Sequence, residues 1–570
     1  MSRSPASTWS GAWPEPACAD LWPDDSLIFV PLGGSGEIGM NLNLYGHQGR
    51  WLMVDLGIGF GDETTPGVDI VLPDPAFIRE RRGQLAGLVL THAHEDHLGA
   101  VPYLWSQLEC PVYARPFTAS VLKAKLHERG LVGKVPLHVI EPGQPFPVGP
   151  FTVEMIPVTH SVPEASMLAI RTSAGLVVHT GDWKLDPEPL IGRVTDTARL
   201  QALGREGVRA LVCDSTNVMV PGHSGSEAGV RENLQTLFAR FPQRIAVTCF
   251  ATNVARVESI AAAAVANDRS VALVGRSLWR IYEAAKANGY FRNLPAFLAE
   301  HEAGYLPRDR AVLICTGSQG EPRSALARIA HGDHPEVSLE PGDTVLFSSK
   351  DIPGNERAIG RVQNWLVKRG IGVVTAEQER IHVSGHPGRE ELQALYRWLR
   401  PELAVPVHGE ERHLVMHGEW ARVWQTPEVL VPHDGQVIRL APGPATVLDT
   451  VHTGRLVQDG KRIIPLETGT MKSRHRMMHN GAAVATVVLN GRGELVTAPQ
   501  IAVMGLLDPD DDHDRILDLV DAVREAVAAL PRDSRLSDQA VREAVRITVR
   551  RAFNISHGKK PLTDVHLIRI

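Results

Sequence analysis

Paired cysteines are absent from the sequence. The five cysteines are odd in number and scattered, and none forms a Cys-x-x-Cys pair. Cys213, Cys249 and Cys315 each lie in or beside an apolar, strand-like run, where a free thiol acts as a small hydrophobic side chain. This usage argues against a disulfide framework and predicts a reducing, cytoplasmic location.

Long apolar runs and an excess of basic charge are also absent. No run of 18 or more apolar residues occurs, which argues against a membrane span, and residues 1–10 lack the apolar core of a secretory signal. The net charge is −6, so a broad basic surface for nucleic acid is not expected. The net charge does not exclude a nucleic-acid substrate, because a narrow basic cleft or bound metal ions can supply local positive potential.

The length and composition are those of a multidomain globular protein. With 570 residues, 43% hydrophobic and 22% charged, the chain has room for about three or four domains. No internal repeat stands out.

The densest group of reactive side chains is residues 91–99, Thr-His-Ala-His-Glu-Asp-His-Leu-Gly. It follows the apolar run 85–90, which reads as a buried strand. Imidazole and carboxylate groups are the ligands that zinc-like ions take. His92 and His94 could face one ion, and Asp96 and His97 could turn toward a second. A plain surface turn has no need of this residue order.

Three more polar residues end strand-like runs. His160 follows Met155–Val158, Asp182 follows Leu176–Val178, and His408 ends the run Val405-Pro-Val. Singly, such residues are more often structural. Together with the motif at 91–99 they form a set for two ions in which Asp182 could bridge and His408 could be the last ligand of the second ion.

Other strand-end features have alternative interpretations. Asp55, at the end of a buried strand, could orient a metal-binding histidine or simply cap a turn. His179 lies inside a strand and is predicted to be structural. The glycine cluster Gly33–Gly39 loosely resembles a dinucleotide fingerprint, but no helical pattern follows it. No nucleotide cofactor is therefore expected.

From residue 210 onward, strand and helix patterns alternate along the sequence, which predicts a doubly wound parallel sheet. Loops at Cys315–Gly320 and Ser348–Asn355 could bind phosphate through backbone N–H groups or be plain turns. The acidic run Asp508–Asp514 lacks EF-hand spacing and is expected to be a solvated loop. Strands are predicted at 210–213, 244–250, 270–275, 311–315, 344–349, 371–375, 483–489, 501–504 and 565–570, and helices at 227–241, 253–267, 277–290, 356–369, 514–530 and 537–553, the last with Ser537 as its N-cap.

The ordered motifs resemble the ribonuclease J family, of the beta-CASP branch of the metallo-β-lactamase superfamily. The motif at 91–99 alone specifies only the superfamily, and the later motifs are more specific. The resemblance runs from about residue 27 to the C-terminus. Its motifs begin at Gly33 (GGSGEIG), Thr91 (THAHEDHLG), Thr180 (TGD), Cys213 (CDSTN), Cys315 (CTGSQGEP), Ile352 (IPGN), His382 (HVSGH) and Pro406 (PVHGE).

The resemblance implies an α/β fold, with an αββα metallo-β-lactamase domain, an inserted doubly wound beta-CASP domain and a small α+β C-terminal domain. The implied boundaries are an N-terminal extension at 1–26, the metallo-β-lactamase domain at 27–218 and 374–449, the beta-CASP domain at 219–373, a linker at 450–466 and the C-terminal domain at 467–570. No role is assigned to the extension.

The resemblance also implies the site residues. Carried over by position, the ligands of one zinc ion are His92, His94, His160 and Asp182, and those of a second are Asp96, His97, Asp182 and His408. Manganese or magnesium are alternative ions. A substrate phosphate is held by His382, Val383, Ser384, Gly385 and His386, while Lys350 either adds a phosphate contact or is solvated. A structural calcium ion at Gly67 and Asp69 is a further expectation, since oxygen ligands suit calcium.

The implied activity is hydrolysis of single-stranded RNA, 5′-to-3′ from a 5′ monophosphate and with some endonucleolytic cleavage, in rRNA processing and mRNA decay. Two metal ions can generate a hydroxide and clamp phosphate oxygens. Asp96 or Asp182 is expected to orient that hydroxide, while His386, supported by Asp214, binds phosphate and protonates the leaving oxygen. A homodimer or homotetramer is implied, without membrane association.

Three other functions account for part of the sequence. A small-molecule hydrolase, such as a thioesterase or lactamase, explains the metal ligands but not the inserted domain. A non-catalytic RNA-binding scaffold would be expected to have lost ligands, and none is missing. A DNA nuclease is disfavoured by His408, because DNA-processing relatives have valine at this position.

Overall fold

The structure is a computed structural model that describes residues 23, 25–352, 354–508 and 511–570. Most of the predicted N-terminal extension, together with Cys18 and Pro353, lies outside the described residues. The chain divides into two compact units. The first consists of the described residues up to Gly59 together with Leu72–Gly454, and the second consists of Phe60–Val71 and Arg455–Ile570. Among the described residues, no helix combines the length and apolar character needed to cross a membrane.

Two large sheets form the centre of the first unit. Phe29 and Leu52 of one sheet join Val153 and Val212 of the other in one buried cluster, as expected for sheets packed face to face. In spatial order, the first sheet contains Thr446–Thr450, Gln436–Ala441, Leu27–Gly33, Leu42–His47, Arg50–Val54, Leu85–Val89, Val112–Ala114 and Leu137–Val139. The second contains Phe146–Val148, Phe151–Pro157, Ser166–Thr172, Gly175–His179, Ala210–Asp214, Leu403–Val407 and Glu428–Val429.

Helices cover the outer faces of these sheets. Leu200 and Leu395, on two such helices, pack with Ile156 and Leu211 in a second buried cluster. The layers are therefore αββα, as predicted. The helices are Ala76–Glu80, Glu95–Leu98, Val101–Leu108, Pro116–Glu128, Thr197–Glu206, Arg389–Leu399 and Glu411–Val423, with a 3₁₀ turn at Arg82–Gln84.

A separate parallel sheet is inserted into this arrangement. Ala210–Asp214 and Leu403–Val407 are parallel neighbours in the second sheet, and the insertion lies within the chain between them. Its five strands, in the order Ser270–Val274, Ala311–Cys315, Ile245–Thr248, Thr344–Phe347 and Gly372–Thr375, are all parallel. Its helices are Glu227–Phe238, Val254–Ala266, Arg276–Ala287, Ala325–His331 and Glu356–Lys368, with 3₁₀ turns at Glu300–Tyr305 and Arg308–Arg310. The strand-helix alternation in the sequence predicted this doubly wound domain.

The second unit contains a three-stranded sheet covered by helices. Val487 of its central strand packs with Val523 and Val545 of two helices, and the Ser537 hydroxyl caps one of them, as predicted, by accepting from the Ala540 N–H. The strands are Gln500–Met504, Ala482–Leu489 and Leu562–Arg569, and the helices are Gly469–Asn480, His513–Ala528, Arg532–Leu536 and Asp538–His557.

The segment 450–466, predicted as a linker, contains a β-hairpin of Arg455–Asp459 and Arg462–Pro465. Asp459 pairs with Arg462, so Gly460 and Lys461 form a two-residue loop, and Gly460 has a positive φ of 61°. Glycine at the first position of a two-residue loop is a hairpin signal that the prediction of a linker overlooked. The hairpin joins Ile70–Pro73 and Gly59–Phe60 in a four-stranded sheet, and Ser35–Gly36 pairs with Gly409–Glu410.

Candidate metal centre

The strand ends of the αββα domain bring the predicted ligands together. Gly175–His179, Ala210–Asp214 and Leu403–Val407 are parallel neighbours, so their carboxyl ends meet at one edge of the sheet. Asp182 and His408 follow two of these ends. The motif at 91–99 follows the strand Leu85–Val89. Its second half forms a short helix, Glu95–Leu98, so the two halves of the motif face different directions.

The first group of potential ligands is His92, His94, His160 and Asp182. Nδ1 of His94 lies 3.0 Å from Nε2 of His92 and 3.0 Å from Nε2 of His160. Oδ2 of Asp182 lies 3.7 Å from each of those Nε2 atoms. Tetrahedral zinc with bonds of about 2.0–2.1 Å separates its ligand atoms by about 3.3 Å. The spacing of this group therefore fits a four-coordinate ion.

The second group is Asp96, His97, Asp182 and His408. Oδ1 of Asp182 lies 3.3 Å from Nε2 of His97 and 3.3 Å from Nε2 of His408. Oδ2 of Asp96 lies 3.6 Å and 3.7 Å from the same two nitrogens. The two oxygens of Asp182 thus face different groups, which is the geometry of a bridging carboxylate.

Unsatisfied buried atoms test whether these residues fit metal ions. Oδ1 of Asp182 and both ring nitrogens of His408 are buried without a hydrogen-bond partner. Burying polar atoms without partners is costly, and two of these three atoms point into the second group. A divalent ion satisfies both, and imidazole with carboxylate is a donor set that zinc prefers. The residues present therefore fit the predicted ions.

Hydrogen bonds to Nδ1 orient three of the ligand histidines, so that Nε2 of each ring faces its group of ligands. Nδ1–H of His97 donates to Oδ2 of Asp55 over 2.7 Å, and Nδ1–H of His160 donates to the carbonyl of Gly385 over 2.6 Å. Nδ1 of His92 lies 3.0 Å from the Thr91 hydroxyl. Such partners fix the tautomer of a ligand histidine. Asp55 therefore orients a histidine, the first of its two predicted roles.

The two groups differ in protonation. Burial lowers the pKa of His92 and of His160, and it lowers the pKa of His94 to about 4. Burial also disfavours the charged form of His97 and His408, but Asp182 and other carboxylates outweigh it and raise the pKa of both. Without metal, the histidines of the first group favour the neutral form, whereas His97 and His408 of the second group are more readily protonated than a free imidazole.

His386 and Asp214 form a hydrogen-bonded pair beside the two groups. Nδ1–H of His386 donates to Oδ2 of Asp214 over 2.8 Å and lies 3.9 Å from Oδ2 of Asp182. Burial opposes the charge on His386, but Asp214 and Asp182 outweigh it and raise its pKa to about 9. The side chains of His386 and Asp96 are 22% and 27% exposed, so both can meet a substrate.

The predicted phosphate-binding segment lies against this centre. The Asn217 amide donates to the Ser384 hydroxyl over 2.7 Å and to the His386 carbonyl over 3.2 Å. The Gly385 carbonyl of this segment also accepts the hydrogen bond from the ligand His160. Only glycine fits at this position, because a Cβ would approach the His160 ring to 2.7 Å. Val383 is buried.

A buried arginine that the sequence analysis overlooked supports the start of this segment. Arg256 is fully buried and pairs with Glu227 at 2.7 Å. One of its nitrogens also donates to the carbonyls of Ser348 and Ile381, and lies 3.4 Å from Nδ1 of His382. Burial, with the charge of Arg256, lowers the pKa of His382 to about 3. The available signal was a single basic residue in the largely apolar helix Val254–Ala266.

Other predicted residues are placed less directly. Gln319 joins the two candidate phosphate loops, since its side chain donates to the Lys350 carbonyl and accepts from the Ile352 N–H. Gly67 has a positive φ of 73°. Asp69 belongs to no group of metal-capable side chains found among the described residues, so the calcium site stays a prediction.

Family models match four successive parts of the chain. Residues 50–231 match a beta-lactamase superfamily domain, and residues 242–366 match the ribonuclease J beta-CASP domain. Residues 371–432 match a Zn-dependent metallo-hydrolase RNA specificity domain, and residues 469–570 match the ribonuclease J C-terminal domain. These matches confirm the predicted fold class.

Whole-chain relatives carry the same description. The chain is 45% identical to ribonuclease J of Sinorhizobium meliloti, over 97% of this chain and 99% of the relative. It is 37% identical to ribonuclease J of Mycolicibacterium smegmatis, over 95% and 97% of the two chains. A solved structure of a protein of unknown function from Enterococcus faecalis V583 matches with a TM-score of 0.50 and 16% identity, over 73% of this chain and all of that one, which supports the fold alone.

Proposed function

Because the chain belongs to the ribonuclease J family, we propose that it is a metal-dependent ribonuclease that hydrolyses RNA phosphodiesters with two zinc ions. The observation that carries this proposal is the Asp182 carboxylate, whose oxygens face two separate histidine groups beside the His386–Asp214 pair. Manganese or magnesium are alternatives to zinc.

Two divalent ions held there supply activation of water and neutralisation of phosphate charge. Asp182 fixes the spacing of the two groups, and the partly exposed Asp96 is placed to orient the attacking water. A pKa of about 9 keeps both ring nitrogens of His386 protonated at neutral pH, so one N–H donates to Asp214 and the other can donate to a phosphate oxygen. Asp214 keeps this ring in place, so His386 is proposed to bind the phosphate and to protonate the leaving oxygen.

We further propose that the enzyme acts mainly 5′-to-3′ and prefers a 5′ monophosphate, with additional endonucleolytic cleavage. Support comes from the segment His382–His386, which is hydrogen-bonded to the ligand His160 through Gly385. A terminal phosphate bound by this segment lies close to the metal centre, so the cleaved bond is near the 5′ end.

Further parts of the proposal rest on the family. They include the domain boundaries given above, a homodimer or homotetramer, a calcium ion at Gly67 and Asp69, and roles in rRNA processing and mRNA decay. A cytoplasmic location is supported by the four described cysteines, which are buried and unpaired.

The test is a time course on one RNA labelled at either end, carrying a 5′ monophosphate, triphosphate or hydroxyl. We expect mononucleotides to be released progressively from the monophosphorylated RNA. Asp96→Asn and His94→Ala should abolish turnover in zinc-supplemented protein. Unchanged RNA turnover in both variants would refute the assignment of the centre, and turnover of a thioester instead of RNA would favour a small-molecule hydrolase.

A further inference from the structure

A buried chain of hydrogen bonds ends beside the catalytic pair. The Tyr396 hydroxyl lies 3.0 Å from Nε2 of His417, and Nδ1 of His417 lies 2.8 Å from the Ser215 hydroxyl. All three side chains are buried, and His417 is 0% exposed. The Ser215 hydroxyl also donates to the Cys213 carbonyl over 3.4 Å. Tyr396 and His417 lie on two different outer helices, so this series of hydrogen bonds connects the helical layer to the sheet edge.

The turn that contains Ser215 places three groups of the proposed site. Its preceding residue is Asp214, whose carboxylate accepts from His386. The Thr216 hydroxyl donates to the carbonyl of the ligand His408 over 3.1 Å, and Asn217 holds Ser384. A displacement of this turn would therefore move the phosphate-binding pair and a ligand backbone together.

The chemistry of His417 suits a fixed support. Burial lowers its pKa to about 4, so the ring is neutral and has one donor and one acceptor. With Tyr396 donating to Nε2, Nδ1–H donates to Ser215 and the Ser215 hydroxyl is left to donate to Cys213. Every buried polar side-chain atom in the series Tyr396–His417–Ser215 then has a partner. Fully satisfied buried networks make a structure rigid.

We propose that His417 is a positioning residue that acts through Ser215 to hold Asp214 against His386. The proposal rests on the ribonuclease function proposed above. It assigns His417 no contact with substrate or metal ions. Its effect is on the placement of the turn 214–217.

The test compares Ser215→Ala and His417→Phe with a matched pair elsewhere in the same domain. Nε2 of the buried His47 lies 2.8 Å from the hydroxyl of the exposed Ser173, in the hairpin between Ser166–Thr172 and Gly175–His179. Ser173→Ala and His47→Phe therefore remove a serine–histidine contact of the same length away from the turn. Each variant is assayed for kcat and KM on 5′-monophosphorylated RNA, zinc content and melting temperature.

We expect Ser215→Ala and His417→Phe to lower kcat about tenfold, the effect of losing one aligned hydrogen bond, with zinc content kept. The control variants should lower only the melting temperature. His417→Asn, which can still donate to Ser215, should recover part of kcat. In an Asp214→Asn background, His417→Phe should have no further effect on kcat.

Equal kcat losses in the control pair, or a full additional loss in the Asp214→Asn background, would overturn the positioning role. A crystal structure of Ser215→Ala gives a readout independent of activity. The Asp214 Oδ2 to His386 Nδ1 distance, 2.8 Å in the unmodified protein, should lengthen beyond hydrogen-bonding range, and an unchanged distance would also refute the role. If the unmodified protein does not cleave RNA, the proposed function fails, and this distance still decides the role of His417.

Discussion

Oδ2 of Asp55 lies 2.7 Å from Nδ1 of His97 and also accepts from the Thr91 hydroxyl, while Oδ1 accepts from the Thr91 N–H. Asp55 is fully buried and has a positive φ of 63°, a conformation that is strained for most side chains and is often found at functional sites. One carboxylate thus fixes the start of the motif at 91–99 and the ring of a ligand within it.

This arrangement predicts that Asp55→Asn weakens the second ion selectively. The amide can still accept from the Thr91 N–H, but it loses the charge that fixes the His97 tautomer. Loss of such a partner costs about 10–100-fold in metal affinity. We expect zinc titration by calorimetry to show a weakened second binding event and an unchanged first one.

The control for this prediction is Asp343→Asn, which alters another fully buried carboxylate, one that pairs with Arg308 in the inserted domain. It should lower stability without changing either zinc affinity. Equal weakening of both ions by Asp55→Asn would show that Asp55 supports the whole motif instead of His97 alone.

A second prediction sorts the ligands by ion. His94→Ala should remove one ion and keep the other, His408→Ala should do the reverse, and Asp182→Asn should weaken both because its oxygens face both groups. The measurement is zinc per chain after dialysis against a weak chelator. The exposed His475 supplies the control, since His475→Ala should retain both ions. Loss of only one ion in Asp182→Asn would contradict a bridging carboxylate.

Protonation predicts a difference in pH dependence between the two ions. Ligand histidines must be neutral to bind metal. Because burial lowers the pKa of His92 and His160, and that of His94 to about 4, the first group needs no deprotonation at neutral pH. The pKa values of His97 and His408 are raised by Asp182 against the effect of burial, so the second ion competes with protons for these rings.

The affinity of the second ion should therefore rise as the pH is raised above the ordinary imidazole pKa of about 6.5, while that of the first stays nearly constant near neutral pH. Calorimetry in buffers with different ionisation enthalpies should detect about one or two protons released on binding the second ion and almost none for the first. Equal proton release in the two steps would contradict this difference.

The parts of the structure that the sequence could predict are those set by local pattern. The residues after strand ends, such as His160 and Asp182, were predictable because strands that run in the same direction end at one edge of the sheet, even where an antiparallel strand lies between them. The inserted sheet was predictable from alternating strand and helix patterns. The hairpin at Arg455–Pro465 was also predictable, since the glycine that opens its Gly-Lys loop is a local signal, but low hydrophobic periodicity favoured a linker.

The supporting contacts could not be predicted because they join residues distant in the chain. Ser215 and His417 are separated by 202 positions, and neither lies in a pattern that distinguishes it from ordinary core. Arg256 and Glu391 are charged residues buried by tertiary packing, and a helical pattern alone does not show what their charges meet. A single sequence indicates such pairs only when both members belong to known motifs, as Asp214 and His386 do.

A fourth prediction concerns the catalytic pair. His386→Ala should lower kcat about 10²–10⁴-fold, the usual contribution of general acid catalysis, while zinc content stays near that of the unmodified protein because His386 belongs to neither ligand group. Asp214→Asn should act in the same direction with a smaller loss, because the ring keeps its nitrogen but loses its charged partner at 2.8 Å. Single-turnover kinetics with zinc analysis checks both, and loss of zinc from His386→Ala would instead indicate a ligand.

The last prediction concerns Glu391, whose buried carboxylate joins three segments around the centre. One oxygen accepts from the Leu185 N–H and the Ser224 hydroxyl, and the other accepts from the N–H groups of Ser224 and Gly388. Glu391→Gln replaces one oxygen with an amide NH₂ that faces donors and cannot accept. Because a buried donor left unsatisfied costs about 1–3 kcal/mol, the free energy of unfolding in denaturant titrations should fall by about this amount. Glu390→Gln, at the exposed neighbouring position, should change it little, and equal effects of the two substitutions would show that the four contacts at Glu391 add no stability.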